Sequence, residues 1–146
     1  MKFSLDLDLF FEKGTLFNFN IETTENDVIN LCGEPDEIED YGKKGKYFHY
    51  DNLRFLFSHS QLGGIDLFFF NSDFSFKKTV GEDVFIIDKN IELVTILLLL
   101  NNYNLKWNIP YEKSLQDYLL LETSSELKIY YYFYNCKIER ISRSFN

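Results

Sequence analysis

The chain has 146 residues, of which 45% are apolar, 26% charged and 18% aromatic, with sixteen Phe and ten Tyr. That length suits one domain with a buried core, and the aromatic excess favours strands and interfaces. Fifteen Lys and Arg against twenty-three Asp and Glu give a formal charge of −8, which repels phosphate backbones and argues against direct nucleic-acid binding, while serving solubility or steering toward a basic partner.

At the N-terminus, MKFSLDLDLFF sets one Lys before alternating Asp. It lacks the uninterrupted apolar stretch and small-residue cleavage site of an export signal. Thr24 then offers an N-cap hydroxyl with Asp27 three residues on, ahead of Val28, Ile29 and Leu31, so a short helix is expected. Gly33 and Pro35 should stop it near Cys32. An acidic loop, Glu34 to Asp40, follows. Lys46 to Tyr50, Leu53 to Ser58 and Ile65 to Phe70 are aromatic or β-branched runs punctuated by Asp51-Asn52 and Gly63-Gly64, which predicts an antiparallel three-stranded meander.

The second half repeats that order, with a helix predicted over Asn90 to Asn101 and strands over Tyr118 to Glu122, Leu127 to Tyr134 and Lys137 to Ser142. The apolar run from Leu93 to Leu100, broken by Thr95, is far short of the roughly 20 residues that span a bilayer. Cys32 and Cys136 stand far apart with no CxxC pair. Free, reduced thiols and a cytoplasmic location are expected, with no membrane association. Phe19, Ile21, Glu22, Val28 and Leu31 lie over Phe85, Ile87, Asp88, Val94 and Leu97 when the halves are superposed. Leu53, Arg54, Phe55 and Phe57 lie over Leu127, Lys128, Ile129 and Tyr131. One insertion near Asn102 to Leu115 keeps the halves in step. The expected fold class is therefore α+β, a single domain over 1–146. Two tandem helix-plus-three-strand units, 1–75 and 76–146, would form one antiparallel sheet with helices packed on one face. Coincident amphipathic patterning is the alternative.

The search for chemistry is negative. His49 and His59 stand in or beside strands without an acidic partner at catalytic spacing, and Ser58-His59-Ser60 cannot join nucleophile to base, because neighbours in a strand point to opposite faces. The glycines form no phosphate cradle, and the acids between Glu34 and Asp40 lack the alternate spacing, central Gly and terminal Glu of an EF-hand. No catalytic, cofactor-binding or metal-binding residue is expected, and the chain is not expected to be an enzyme.

The informative segment is Leu127 to Tyr134. Strand alternation puts Leu127, Ile129, Tyr131 and Phe133 on a core face and Lys128, Tyr130, Tyr132 and Tyr134 on the other. Arg54 and Leu56, with Asp66, Phe68 and Phe70 on the neighbouring strand, extend the same face. Tyr and Arg together are the composition of an interface centre. The alternative is cover from within the chain, by Asn102 to Ser114 carrying Trp107. The acidic loop from Glu34 to Asp40 is expected to be a solvated loop, with Glu37, Glu39 and Asp40 as a docking loop for a basic partner the alternative. The Leu-rich helix is expected to be core, with a dimer seam as the alternative.

The stretch Thr23 to Asp36, a capped helix followed by Gly33-Glu34-Pro35-Asp36 and then a β-meander, resembles the opening of the beta-lactamase-inhibitor-like fold. The resemblance implies helices on one face of an antiparallel sheet, with the other face free to grip a protein. The chain lacks the lipobox of that fold's lipoprotein branch and the disulfides of the secreted inhibitor. What remains is similar in character to cytosolic immunity proteins of polymorphic bacterial toxins. The function expected from this is occlusion of a cognate toxin domain without catalysis, the alternative being a structural module that dimerises through the Leu-rich helix.

Overall fold

In a computed structural model, residues 3–69, 74–113 and 117–145 are described. Helix α1 (Leu7–Lys13) opens on Asp6, whose side chain accepts from the Leu9 amide at 3.0 Å, and closes on Gly14 at φ 67°. Sequence reasoning did not predict it, because the same Asp-Leu alternation reads as a strand. Helix α2 (Glu25–Cys32) forms where the capping signal put it. Thr24 and Asp27 exchange side-chain and backbone hydrogen bonds at 3.2 and 2.8 Å, and Gly33 ends the helix by donating to the Ile29 carbonyl at 2.8 Å.

Four strands follow: β1 (Glu37–Asp40), β2 (Lys46–Tyr50), β3 (Leu53–Ser58) and β4 (Gln61–Phe68). The expected acidic loop is thus corrected, since Glu37 to Asp40 pair with β2. A strand bearing acids on both sides shows no apolar alternation, and charge on an edge strand is a common guard against unwanted pairing. The Gly63-Gly64 punctuation is also corrected. Both lie inside β4, where the register with β3 shifts between Leu56 and Phe57. Gly64 is needed there because a Cβ would stand 2.9 Å from the Arg143 carbonyl oxygen. Phe70 lies outside the described residues.

Strands β5 (Ser75–Val80) and β6 (Asp83–Asp88) form a separate hairpin. Helix α3 (Leu93–Asn102) begins later than expected, after a turn in which the Ile91 amide donates to the Asp88 carbonyl at 3.1 Å. It buries Ile96, Leu99 and Leu100 while Val94 and Leu98 stay half exposed. The short β7 (Trp107–Asn108) leads to β8 (Tyr118–Thr123), β9 (Leu127–Tyr132) and β10 (Lys137–Ser144). Strand β9 is shorter than expected, because Phe133 to Cys136 form a turn that ends with Cys136 at φ 55°.

The main sheet has the order β1-β2-β3-β4-β10-β9-β8-β7, with every pairing antiparallel. Each half of it follows a helix and four strands in chain order, and the halves meet where β4 pairs with β10, Phe68 opposite Arg140 and Asp66 opposite Ser142. In the proposed superposition, by contrast, Phe85 to Asp88 are strand while Phe19 to Glu22 lie outside any strand. One face of the sheet supplies Phe48, Phe55, Ile65, Ile141 and Ile129 to a hydrophobic cluster that also takes Phe10 and Phe11 of α1, Val28 of α2 and Leu99 of α3. The helices therefore pack on one face. The Tyr50 hydroxyl donates to the Gly33 carbonyl at 2.7 Å and fixes the end of α2 to β2, and Phe11 stacks on Tyr103 with centroids 5.5 Å apart.

Candidate functional site

Because side chains alternate along a strand and register partners share a face, the pairings define what the other side of the sheet presents. Reading across, it carries Glu37 and Glu39, then Tyr47 and His49, then Arg54 and Leu56, then Asp66 and Phe68. It continues through Arg140 and Ser142, then Lys128, Tyr130 and Tyr132, then Tyr118, Leu120 and Glu122. At roughly 4.8 Å per strand, eight strands make a surface over 30 Å wide. The buried residues of all three helices belong to the cluster on the opposite side.

The centre of this face is held rigidly. Arg54 Nε and Nη2 donate to Asp66 Oδ2 at 3.0 and 2.6 Å, and the Ser142 hydroxyl donates to Oδ1 at 2.5 Å. The Arg54 guanidinium lies 4.9 Å from both the Tyr47 and Phe68 ring centroids. Two rings thus lie against it and two of its donors are spent. Asp66, 5% exposed, braces the surface from beneath and presents no free carboxylate.

In the other half, Tyr118 sits 5.4 Å from Tyr130 and 5.5 Å from Tyr132, and Arg140 lies 4.3 Å above the Tyr130 ring. Lys128, Tyr130 and Tyr132 are only partly buried. Burial holds the Tyr132 hydroxyl above its ordinary pKa, with Glu139 adding to the shift and Arg140 opposing it. Tyr134 was expected in the same row but stands in the turn beyond β9, 79% exposed, with its ring 5.9 Å from Tyr132. Phe133, expected in the core, is half exposed in that turn.

At the first-half edge, Glu39 Oε1 lies 2.8 Å from His49 Nε2, a contact that is not aligned as a ring N–H hydrogen bond. The Tyr41 hydroxyl donates to the same carboxylate and is the main reason its pKa lies below the usual range. Glu37 shares the face with Glu39, but Asp40 does not. It pairs with Lys46 on the helix side and accepts from the Gly42 amide at 2.8 Å. Trp107 was the candidate internal cover for the Tyr row. It packs against the core instead, opposite that row, with its indole N–H donating to Asn101 at 3.1 Å.

Sequence reasoning missed Arg140, Tyr118 and Tyr47. Arg140 was hidden by a register shift between Ile138 and Arg140. The bulge puts two inward isoleucines, Ile138 and Ile141, three residues apart, so period-two alternation misassigns the residues between them. That odd spacing was itself the available signal. Among the described residues no group of three or more His, Cys, Asp or Glu is placed to hold a metal ion, and no helix is long and apolar enough to cross a membrane. His59 lies in the β3–β4 turn at φ 53°.

No family model matches the chain, and no curated protein matches it. Among solved structures, an extracellular protein containing a SCP domain from Bacillus anthracis is similar over 86% of this chain and 44% of its own, with a TM-score of 0.42 and 8% identity. The chain spans less than half the length of that protein, and a likeness this slight assigns neither fold nor function.

Proposed function

We propose that the chain is a non-catalytic, cytoplasmic protein-binding domain that occludes its partner with the open face of the sheet, as an immunity protein does a cognate toxin domain. The observation that carries this is the continuous, partly exposed row from Arg54 and Phe68 through Arg140 to Tyr130 and Tyr118, whose rings and guanidinium groups support one another. Rigid aromatic and Arg side chains bury area at small entropic cost, which is how interface centres gain their affinity. The helix-then-four-strands order of each half supports a tandem duplication, with β4 and β10 as the joined edges.

Co-expression with each adjacent gene product should yield a stable complex with one of them, of nanomolar affinity. Tyr132→Ala should weaken it by at least about 1–2 kcal/mol while leaving the unfolding midpoint near that of the wild type. The proposal fails if no such complex forms, or if the variant binds unchanged. A second reading has one observation in its favour: Val94 and Leu98, one helical turn apart on α3, are 58% and 51% exposed. A dimer in light scattering that Leu98→Lys dissolves would support it.

A further inference from the structure

The two arginines of the open face differ in what remains for a partner. Arg54 is closed by Asp66 and by two rings. Arg140 has the Tyr130 ring beneath it and Phe68 as its register partner on β4, and it takes part in no ion pair among the described residues. Lys128, on the adjacent strand and two positions from Tyr130, likewise has no ion-pair partner among them. In a chain with twenty-three acids against fifteen bases, Arg140 is a cation with no ion pair among the described residues, while Lys128 faces its register partner Glu122, whose carboxylate is engaged by Lys113 at 2.9 Å.

Position strengthens the contrast. Strand β10 is fifth of eight in the sheet, so Arg140 stands near the geometric centre of the face, where residues that dominate binding concentrate. Stacking on a ring occupies one flat side of a guanidinium and leaves its edge N–H donors pointing outward in a fork that matches a carboxylate. We propose that Arg140, backed by Tyr130 and assisted by Lys128, is the anchor of the open face and receives an acidic side chain from a protein partner. The assignment rests on the open face being the binding surface, and it reverses the expectation that an acidic protein of this kind seeks a basic partner.

A random peptide library displayed on phage and selected on the purified protein tests it. The expected binders carry a fixed Asp or Glu. Arg140→Glu and Arg140→Gln, each checked for a wild-type unfolding midpoint, should weaken them by about tenfold or more, and changing the peptide acid to Lys should restore binding to Arg140→Glu alone. Binders lost in Tyr132→Ala yet indifferent to both Arg140 variants would leave the face as the binding surface and overturn the carboxylate assignment. Binders indifferent to all three would sink both. Selection of Lys- or Arg-bearing peptides, or of no binder, overturns the proposal. So does a dimer of the wild type that Arg140→Glu dissociates, because the carboxylate would then come from a second copy.

Discussion

Replacing Arg54 by Met should be among the most damaging single changes on the open face, and the geometry gives the magnitude. Asp66 is 5% exposed and receives two guanidinium donors and one hydroxyl. Without Arg54 its charge would be buried against Ser142 alone, which costs on the order of 3–5 kcal/mol. Asp66→Leu leaves instead a guanidinium whose side chain is 22% exposed and still lies 4.9 Å from the Tyr47 and Phe68 ring centroids. Solvent and the rings offset much of that loss, so about 1–3 kcal/mol is expected. The double variant should lie near wild type, since an apolar pair of similar volume carries no desolvation cost. The coupling energy should then be at least about 2 kcal/mol. Urea unfolding followed by the fluorescence of Trp107, the single tryptophan, measures all four corners. At about 2–4 °C per kcal/mol for a chain of this size, Arg54→Met should lower Tm by roughly 6–12 °C or more. Single variants within about 0.5 kcal/mol of wild type, or costs that simply add, would refute the reasoning.

Cys32 is buried and burial pushes its thiol pKa up to about 12, while Cys136 is exposed in the β9–β10 turn. An aromatic disulfide reagent at pH 8 should therefore titrate one thiol quickly, and Cys136→Ser should abolish that phase. Two fast thiols would show that α2 is not packed as described. On α1, burial raises the Asp8 pKa, but hydrogen bonds from Lys78, with Nζ 2.8 Å away, and from the Tyr103 hydroxyl outweigh it and hold the group below its ordinary value. A depressed carboxylate stabilises the fold above its unfolded pKa of about 3.9, and that contribution disappears as the pH falls through the folded value. Urea midpoints should drop between pH 5 and pH 3, and Asp8→Asn should flatten part of that slope. An unchanged slope would remove Asp8 from the account.

What could be read from the chain beforehand follows from where local signals agree with tertiary pairing. Thr24, Asp27 and Gly33 fix both ends of α2 through hydrogen bonds within a few residues, so sequence alone suffices. The alternation of β9 from Leu127 to Tyr132 likewise separates a core face from a Tyr face. Prediction failed where a long-range partner decides. Glu37 to Asp40 are a strand only because β2 lies beside them, and Phe133 leaves the core because Asn135 and Cys136 turn the chain. The Arg54–Asp66 clamp needed the β3–β4 register, and Arg140 needed the bulge in β10.

The β4–β10 seam sets the order in which this chain can assemble. Phe68 meets Arg140, and Gly64 meets Ser144, across a loop far longer than any within either meander. Loop closure therefore makes that seam the late event in folding. Until it forms, each half carries an open edge complementary to the edge of the other half, in its own molecule or in a neighbour. Concentrated refolding is thus the condition under which two copies would exchange halves into a swapped dimer, and dilution the condition that favours the monomer. Such a dimer would rebuild the same surface twice, each from the N-terminal half of one chain and the C-terminal half of another.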